Sequence, residues 1–254
     1  MSSVKILTLN TWQERGPWHE RWELIFAGLK FYLPDIIAFQ EIFHTNWADE
    51  VQKRSGYPHL IKSGHDSGLV FLSKYAALKS ECIILPTKSP YEDYLRFCHY
   101  VLFAVGKKRL AGFNTHLSWQ QHDDQVRLKQ TQEVQSFVTQ KSKGGWLRLG
   151  LPDAAFIAGD FNSAPNKPSI QSVQKVWLDT FAVANPGVEG LTWNYKNPYA
   201  ERAREHMPER RIDYIFTSKI EKTAIRSSKV VFDQPDSNGT FPSDHFGVMT
   251  EIDF

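Results

Sequence analysis

Residues 156–165 read FIAGDFNSAP, an apolar run that ends in two polar side chains, Asp160 and Asn162. Together with the alanines at 154 and 155, the run predicts a strand that is buried in a core. An unpaired polar group in an apolar environment costs free energy, so a buried strand rarely ends in a carboxylate and an amide that lack partners. The stretch therefore predicts that other segments of the chain supply partners for these two residues.

Five further segments repeat the pattern in which an apolar run ends and polar groups begin. One such residue alone is usually a turn or cap residue. Six segments of this kind predict that the strands deliver their ends to one rim, where carboxylates, amides and histidines converge on a single cleft. The further residues are Asn10 after ILTL, Gln40 and Glu41 after IIAF, Asn114 and His116 in LAGFNTH, Asp213 in RRIDYIF, and Asp244 and His245 in FPSDHFG.

The rest of the chain predicts many strands with a few helices between them. Apolar residues at steps of three and four from Trp18 to Leu33, with Pro34 behind them, predict one helix. Further helices are predicted at 124–140 and 168–178. Strands are predicted at 4–9, 35–43, 69–75, 81–86, 99–106, 108–117, 154–161, 191–195, 211–218, 229–232 and 246–254. The pattern indicates an α+β sandwich, with helices covering the sheets, that forms a single domain over residues 1–254.

Composition and charge exclude some partners and leave others open. The chain has 254 residues, of which 41% are hydrophobic and 23% charged, with a formal net charge of +2. A nearly neutral chain gives no bulk electrostatic reason to expect nucleic acid or a membrane as partner. No apolar stretch approaches the roughly 20 residues that span a bilayer, and no export signal precedes the first strand. We expect a monomer in the cytoplasm.

Two smaller features concern packing. Cys82 and Cys98 lack the spacing of a zinc site and are predicted to be buried free thiols. The loop at 143–153 carries Trp146 and three leucines between glycines and a proline. We expect it to pack against the edge of the domain, with peripheral contact to a membrane or a partner as the alternative.

The polar groups at the predicted rim determine which chemistry the cleft can support. They are carboxylates, amides and histidines, without the serine or cysteine signature of covalent catalysis. Hard oxygen ligands such as Glu41 and Asp244 suit Mg²⁺, with Mn²⁺ as the alternative. Histidines can hydrogen-bond or protonate phosphoryl oxygens near neutral pH. Metal-assisted attack of water on a phosphoester fits this set best.

The segments, taken in order, resemble the endonuclease/exonuclease/phosphatase superfamily, which is also called the DNase I-like fold. The resemblance covers nearly the whole chain and follows LTLNTW, DIIAFQEIF, SGLVFLSKY, FNTHL, IAGDFNSAP, TWNY, RRIDYIF and PSDHFGV. It implies a four-layer α/β/β/α sandwich with a divalent metal at one rim. In this resemblance Glu41 is the main metal ligand, Asn10 lies beside it, and Asp244 lies at or near the metal.

The resemblance also implies catalytic roles at matching positions. Asp160 orients or deprotonates the attacking water, and Asn162 holds a phosphate oxygen. His116 contacts the scissile phosphate, while Asp213 hydrogen-bonds His245 and favours its protonated form. His245 then stabilises the charge that develops on phosphorus. Further candidates for substrate binding are Asn114, Trp119 and Trp193.

The substrate is less well defined than the reaction. The segment THLSWQQHDDQVRLKQ, from Thr115 onward, resembles neutral sphingomyelinases, which favours a lipid phosphodiester. Nuclease activity on DNA or RNA is the alternative, and a phosphatase of the same superfamily is another. The segment before RRIDYIF lacks the tryptophan–cysteine–aspartate run of the inositol-polyphosphate 5-phosphatases. An alternative of a different class is a non-catalytic module that binds a partner through the apolar residues 146–151.

Overall fold

The computed structural model describes residues 3–142, 151–218 and 220–253. The strands, in chain order, are β1 (Ser3–Asn10), β2 (Ile36–Gln40), β3 (His59–Lys62), β4 (Val70–Ser73), β5 (Ala77–Leu85), β6 (Arg96–Val105), β7 (Lys108–His116), β8 (Ala154–Asp160), β9 (Leu178–Asp179), β10 (Asp213–Ser218), β11 (Ile225–Val231) and β12 (Gly247–Asp253). The helices are α1 (Trp18–Tyr32), α2 (Thr45–Ser55), α3 (Asp124–Ser142), α4 (Pro168–Gln174), α5 (Thr180–Ala184) and α6 (Pro198–Glu201), with a 3₁₀ turn at Lys222–Ala224.

Within the described residues the strands form two six-stranded sheets. The first has the order β11-β12-β1-β2-β4-β3, and the second has the order β5-β6-β7-β8-β10-β9. Each sheet contains a central parallel pair, β1–β2 in the first and β7–β8 in the second. An antiparallel strand lies next to each pair, β12 beside β1 and β10 beside β8. The two sheets therefore share the same central plan.

The inner core lies between the two sheets. Side chains alternate across a strand, so every second residue of β1 and β8 points into this core. Val4 and Ile6 of the first sheet pack in one fully buried cluster with Phe156 and Ala158 of the second. The same alternation continues toward the strand ends, where the inner positions become polar.

Helices cover the outer faces of both sheets. Leu7 and Leu9 of β1 point outward and pack in a cluster with Trp22 and Ile25 of α1. On the other side, the outer face of the second sheet packs against Val134 and Phe137 of α3 and against Ile170 and Val173 of α4. The four layers are helix, sheet, sheet and helix, which confirms the predicted α/β/β/α sandwich.

Several local predictions differ from the structure. The predicted strand 191–195 is an irregular segment with a single bridge, Trp193 opposite Arg210. The segment stays irregular because the side chain of Thr192 accepts hydrogen bonds from the backbone of Ile212 and Asp213. The structure also contains α2, α5, α6, β3 and β9, none of which is predicted above, and α4 ends at Gln174 instead of at the predicted residue 178. Strand β5 begins four residues earlier than predicted. Strand β11 extends over Ile225–Val231, so it begins and ends before the predicted range 229–232.

Both cysteines are free thiols. Cys98 is buried as predicted, whereas Cys82, on the edge strand β5, is partly exposed. No helix in the described residues is long and apolar enough to cross a membrane. The apolar segment 146–151, for which a partner-binding role is the alternative prediction, lies outside the described residues except for Leu151.

Candidate active site

The strand directions bring the predicted polar residues to one edge of the sandwich. Strands β1 and β2 are parallel, so Asn10 lies opposite Gln40 where both strands end. Strands β7 and β8 are also parallel, with His116 opposite Asp160. Strand β10 runs the other way and begins at Asp213, which is also opposite Asp160. The carboxyl ends of four central strands therefore meet the amino end of β10.

The alternation of side chains makes these ends face one another across the two sheets. Asn10 and Asp160 occupy the inner positions that continue the series of inner core residues on β1 and β8. The Nδ2 of Asn10 donates a hydrogen bond to Oδ2 of Asp160 at 3.1 Å. The stretch FIAGDFN therefore receives its first partner from the other sheet, through a residue 150 positions away.

Gly159 allows β7 to approach β8 just before the site. Its φ is +146°, and a Cβ at this position would lie 1.9 Å from the carbonyl oxygen of Thr115. A side chain cannot fit at that distance, so only glycine permits this register. The close approach sets the position of Asp160, the next residue in the chain.

Left-handed backbone turns direct two of the polar residues. Glu41 has φ 66° and Asn162 has φ 49°. Such angles are uncommon for residues other than glycine and cost free energy, and they occur often at functional sites. The backbone N–H of Asn162 donates to Oδ1 of Asp160 at 2.8 Å, and its Nδ2 donates to the carbonyl of Leu117 at 3.0 Å. The local hydrogen bonds therefore fix both residues of the GDFN segment.

The polar residues line a cleft of about 650 Å³ at this edge. Asp213 lies behind the lining, because its side chain is fully buried against His245. The predicted site residues that line the cleft are Asn10, Glu41, His116, Trp119, Asp160, Asn162, Trp193, Asp244 and His245.

His245 is surrounded by carboxylates. Its Nδ1 lies 2.9 Å from Oδ2 of Asp213, and its Nε2 lies 3.7 Å from Oδ2 of Asp160. Burial alone would lower the pKa of His245, but Asp213, Asp160 and Asp244 outweigh it and hold that pKa well above its usual value. The imidazole is therefore protonated near neutral pH and donates from Nδ1 to Asp213.

His116 and Asp160 form a second pair in the cleft, with Nε2 and Oδ2 separated by 3.4 Å. Burial lowers the pKa of His116 well below its usual value, and the cations of Arg96 and His245 add to this effect. Burial also raises the pKa of Asp160 to about 7, and the charge of Asp213 adds to this rise. The cation of His245 and the hydrogen bonds from Asn162 and Asn10 oppose the rise. The site therefore pairs a neutral histidine with a cationic one around a single carboxyl group.

Glu41 and Asp244 form the part of the site that fits a divalent cation. The Oε2 atom of Glu41 is shielded from solvent and has no hydrogen-bond partner among the described residues. Burial raises the pKa of Asp244 to about 6, and the charge of Glu41 adds to this rise while His245 and Arg21 oppose it. Two adjacent carboxylates with an unpartnered oxygen provide hard oxygen ligands, which Mg²⁺ and Mn²⁺ prefer.

A second group of potential ligands consists of Asp160, Asp213 and His245, with ligand atoms within 4.8 Å of one another. However, Nδ1 of His245 is occupied by Asp213. A protonated imidazole offers no lone pair to a metal. This group therefore fits a hydrogen-bonded pair beside a carboxyl group better than it fits a metal site.

Asn114, which was expected to bind substrate, does not line the cleft. Its side chain is fully buried between the sheets. Its Oδ1 accepts from Nε2 of Gln40 at 2.8 Å, and its Nδ2 donates to the carbonyl of Phe39 at 2.8 Å. Asn114 is on the inner face of β7, two residues before His116, so it lies below the rim. It joins the two sheets instead of contacting a ligand.

The two tryptophans differ in exposure. Trp193 is 8% exposed and lies edge-on to His245, with ring centroids 5.1 Å apart. Trp119 is 43% exposed, and its Nε1 donates to Oη of Tyr94 at 2.8 Å. Trp193 therefore packs against the site, whereas Trp119 presents much of its surface to solvent at the cleft.

Sequence reasoning did not single out three residues that support the cleft. Tyr94, in the loop before β6, and Arg96, the first residue of β6, line it. Arg21 is fully buried, and its guanidinium donates to the backbone carbonyls of Thr11 and Pro242, at 2.8 and 3.1 Å. The available signal was a charged residue, Arg21, on the apolar stripe of a predicted helix, since an arginine is rarely fully buried without partners.

The family model described as the Endonuclease/Exonuclease/phosphatase family matches residues 7–245, a range that begins in β1 and ends at His245. The chain therefore belongs to this family. The family hydrolyses phosphoester bonds, and its members typically use a divalent metal ion.

Individual relatives are distant in sequence. An endonuclease/exonuclease/phosphatase family protein from Bacteroides thetaiotaomicron has a TM-score of 0.77 at 20% identity, covering 99% of this chain and 98% of that chain. The complex of D. rerio TDP2 with a single strand DNA product has a TM-score of 0.78 at 19% identity, covering 100% of both chains. The Probable RNA exonuclease NGL3 of Saccharomyces cerevisiae is 24% identical over 208 residues, which are 68% of this chain and 40% of that protein.

Proposed function

We propose that this protein is a metal-dependent phosphodiesterase in which a positioned water attacks the phosphorus. The observation that carries the proposal is the convergence, at one edge, of an unpartnered carboxylate oxygen on Glu41, a carboxyl group on Asp160 and a cationic imidazole on His245. These groups supply a cation site, an acceptor for the proton of the attacking water, and a hydrogen-bond donor to a phosphoryl oxygen. Hydrolysis of a phosphoester requires all three.

Glu41 and Asp244 would hold the divalent ion, and Asn10 lines the cleft with them. We assign Mg²⁺ to the site and Mn²⁺ as the alternative, because both prefer carboxylate and amide oxygens. When bound, the ion polarises a phosphoryl oxygen and offsets negative charge on the substrate. The Nδ2 of Asn10 is bonded to Asp160, so the same residue connects the metal side of the cleft to the catalytic carboxyl group.

Asp160 accepts a proton from the attacking water or orients it. A base is most effective when its pKa lies near the working pH, and burial raises the pKa of this carboxyl to about 7. Its position is fixed from two sides by the side chain of Asn10 and the backbone of Asn162. The amide of Asn162, at the edge of the cleft, holds a phosphate oxygen.

The two histidines act on the phosphate in different protonation states. His245, kept cationic by Asp213, donates from Nε2 to a phosphoryl oxygen and stabilises the charge that develops there. His116, held neutral by burial and by nearby cations, contacts the scissile phosphate and donates a hydrogen bond from its one N–H to the leaving oxygen, which takes its proton from solvent. Both imidazoles approach the same Oδ2 atom of Asp160, so the site places one cationic and one neutral imidazole beside a single carboxyl oxygen.

The relatives support a nucleic-acid substrate. One carries the name of an RNA exonuclease, and another was solved with a single-stranded DNA product. We therefore assign a phosphodiester of DNA or RNA as the leading substrate. Sphingomyelinase-like hydrolysis is the second candidate, because the segment that begins THLSWQQ at Thr115 resembles neutral sphingomyelinases. A non-catalytic binding module would show no metal-dependent turnover.

The test is a hydrolysis panel with Mg²⁺ or Mn²⁺ that contains single-stranded DNA and RNA, abasic duplex DNA, cyclic dinucleotides, inositol phosphates and sphingomyelin vesicles. EDTA is expected to abolish turnover of the best substrate. Glu41→Gln is expected to lower turnover by about a hundredfold or more and to weaken Mg²⁺ binding measured by calorimetry. The matched control is Glu20→Gln, at an exposed position of α1. Equal rates for wild type, Glu41→Gln and His245→Ala would contradict the site assignment.

A further inference from the structure

One wall of the cleft carries two aromatic side chains that are half exposed. Tyr94 is 48% exposed and Trp119 is 43% exposed, and both line the same cleft as His116. Trp119 follows His116 by three residues, in the loop after β7. Adjacent exposed aromatic rings at the edge of a polar cleft are a common feature of ligand-binding grooves. We call this pair the aromatic wall.

Hydrogen bonds hold the aromatic wall in place. The Nε1 of Trp119 and the Nη2 of Arg96 both donate to Oη of Tyr94, at 2.8 and 3.1 Å. The backbone N–H of Trp119 donates to Oε1 of Glu92 at 2.8 Å, and Glu92 forms a buried ion pair with Arg96. The two rings are thus fixed in orientation before any ligand arrives, which lowers the entropy that binding costs.

The charges around the wall decide which flat or cationic group it accepts. The Arg96 guanidinium lies 4.7 Å from the centroid of the Tyr94 ring. A quaternary ammonium, such as the choline of a phospholipid headgroup, binds to an aromatic face through the same attraction. On Tyr94 that attraction is already used by Arg96, and a second cation would be repelled. A neutral planar ring is not repelled by Arg96, and it can stack on any ring face of the aromatic wall that is still exposed.

The surroundings also favour a short single strand over a duplex. The loop that carries Tyr94 contains the acidic residue Asp93, the charge of Glu92 is paired with Arg96, and the chain has a net charge of only +2. A protein that follows a long duplex needs many cationic contacts to phosphates. A site that gains its affinity from base stacking does not, because stacking on aromatic side chains requires only an unpaired base.

We propose that the aromatic wall stacks the unpaired nucleobase next to the scissile phosphate, which makes the substrate a single-stranded nucleotidyl phosphodiester. The inference rests on the proposed hydrolase function and adds the substrate class. Tyr94 and Trp119 supply the stacking surface, while Arg96 positions Tyr94 and places a cation on the side of His116. The wall is therefore a specificity element beside the catalytic groups.

The test compares esters that differ only in the base. The first is the p-nitrophenyl ester of thymidine 5′-phosphate, and the second is the same ester without the thymine, so that the sugar becomes a hydroxylated tetrahydrofuran. The base preference is the ratio of kcat/KM for the first ester to kcat/KM for the second. In wild type we expect a ratio of about ten or more, in line with the measured contribution of one stacked base. Trp119→Ala is expected to reduce the ratio to near one, and Trp119→Phe to retain most of it.

The matched control is Tyr91→Ala. Tyr91 is an exposed aromatic residue of the loop that carries Tyr94, but it is not among the residues that line the cleft. Its removal is expected to leave the base preference unchanged. A wild-type ratio near one, or an equal ratio in wild type and Trp119→Ala, would overturn the proposal. The loss of binding to sphingomyelin vesicles in Trp119→Ala, with the base preference intact, would overturn it in favour of a lipid contact.

A binding measurement separates this inference from the proposed function. Thymidine 5′-phosphate and the matching tetrahydrofuran phosphate are titrated into the protein with Mg²⁺, and Kd is measured by calorimetry. If no ester is hydrolysed by wild type, the hydrolase proposal fails. Weaker binding of the tetrahydrofuran phosphate, by about tenfold in wild type but not in Trp119→Ala, still supports the wall as a base site. Equal binding of both ligands by wild type refutes it.

Discussion

His99 provides a test of the packing between the sheets, because its imidazole is buried where a charge cannot be accommodated. It lies on β6, faces the first sheet and contacts the ring of Phe71, with centroids 5.4 Å apart. Its Nε2 bonds to the hydroxyl of Ser80 at 2.9 Å, and its Nδ1 has no partner among the described residues. Burial lowers the pKa of His99 from 6.5 to about 3.

The lowered pKa makes the free energy of unfolding depend on pH. Above pH 6.5 the imidazole is neutral in both states, so His99 contributes no pH dependence. Below pH 6.5 the unfolded chain binds a proton that the folded chain excludes, and stability falls until the pH approaches 3. The slope is about 1.4 kcal/mol per pH unit, which amounts to about 2 kcal/mol between pH 7.5 and pH 5.0.

The assay is urea unfolding of wild type and His99→Gln at several pH values from 5.0 to 7.5. Glutamine keeps a hydrogen-bonding side chain near Ser80 but does not titrate. The stability of wild type relative to the variant is expected to fall by about 2 kcal/mol over this range as the pH is lowered. The control is His206→Gln, at an exposed position, for which the difference from wild type should be constant. A constant difference for His99→Gln as well would refute the argument that His99 is buried and neutral.

Three further predictions concern positions at or near the cleft. Gly159→Ala is expected to destabilise the fold by about 3 kcal/mol or more in urea unfolding, because the new Cβ meets a backbone carbonyl. The control Gly187→Ala, with φ +80° and open space around it, should cost only about 1 kcal/mol. Similar losses of stability in the two variants would argue against the close approach of the strands. Asn114→Ala is expected to lower stability by about 2–4 kcal/mol while KM stays unchanged, since its partners lose buried hydrogen bonds; a raised KM with normal stability would restore the substrate-binding role. Asp213→Asn is expected to lower kcat by about 10²- to 10⁴-fold without unfolding the chain, because His245 loses the carboxylate that keeps it cationic; unchanged kcat would remove His245 from the proposed chemistry.

The convergence of the site could be predicted because it depends on two features that a sequence displays. One is the alternation of inner and outer positions along β1 and β8, which places Asn10 and Asp160 on the inner face. The other is that each apolar run stops at the same kind of residue. The direction of each strand follows from the helices between them, since α1 connects β1 to the parallel strand β2. The site therefore follows from local patterns and from the topology that those patterns indicate.

The depth of each polar residue could not be predicted in this way. Asn114 and His116 share the inner face of β7, and both follow an apolar run. The register between the two sheets decides that Asn114 meets Gln40 and Phe39 inside the core, whereas His116 reaches the cleft. That register depends on packing between residues far apart in the chain. Tyr94 and Arg96 were missed for a related reason, since the loop before β6 and the first residue of that strand have no periodicity that signals their contacts.

The loops that follow β1 and β7 at the cleft are held by the same kind of contact, a buried arginine on the next helix. After β1, the loop that contains Trp12 is bound by the buried guanidinium of Arg21 on α1, which donates to the carbonyls of Trp12 and two neighbouring residues. After β7, the loop that contains Trp119 is bound by the buried guanidinium of Arg127 on α3, which donates to the carbonyls on either side of Trp119.

A guanidinium has five donors in a rigid plane, so one side chain can satisfy several carbonyls that a turn leaves unpaired. Both arginines are almost fully buried, and neither of them lines the cleft. Each of them therefore contributes to function by fixing the loop that carries an aromatic side chain to the rim. Such preorganisation matters for hydrolysis, because groups that are already in place need no reorganisation when charge develops on the phosphate. The helices α1 and α3, which follow β1 and β7, thus both cover a sheet and hold a loop of the cleft.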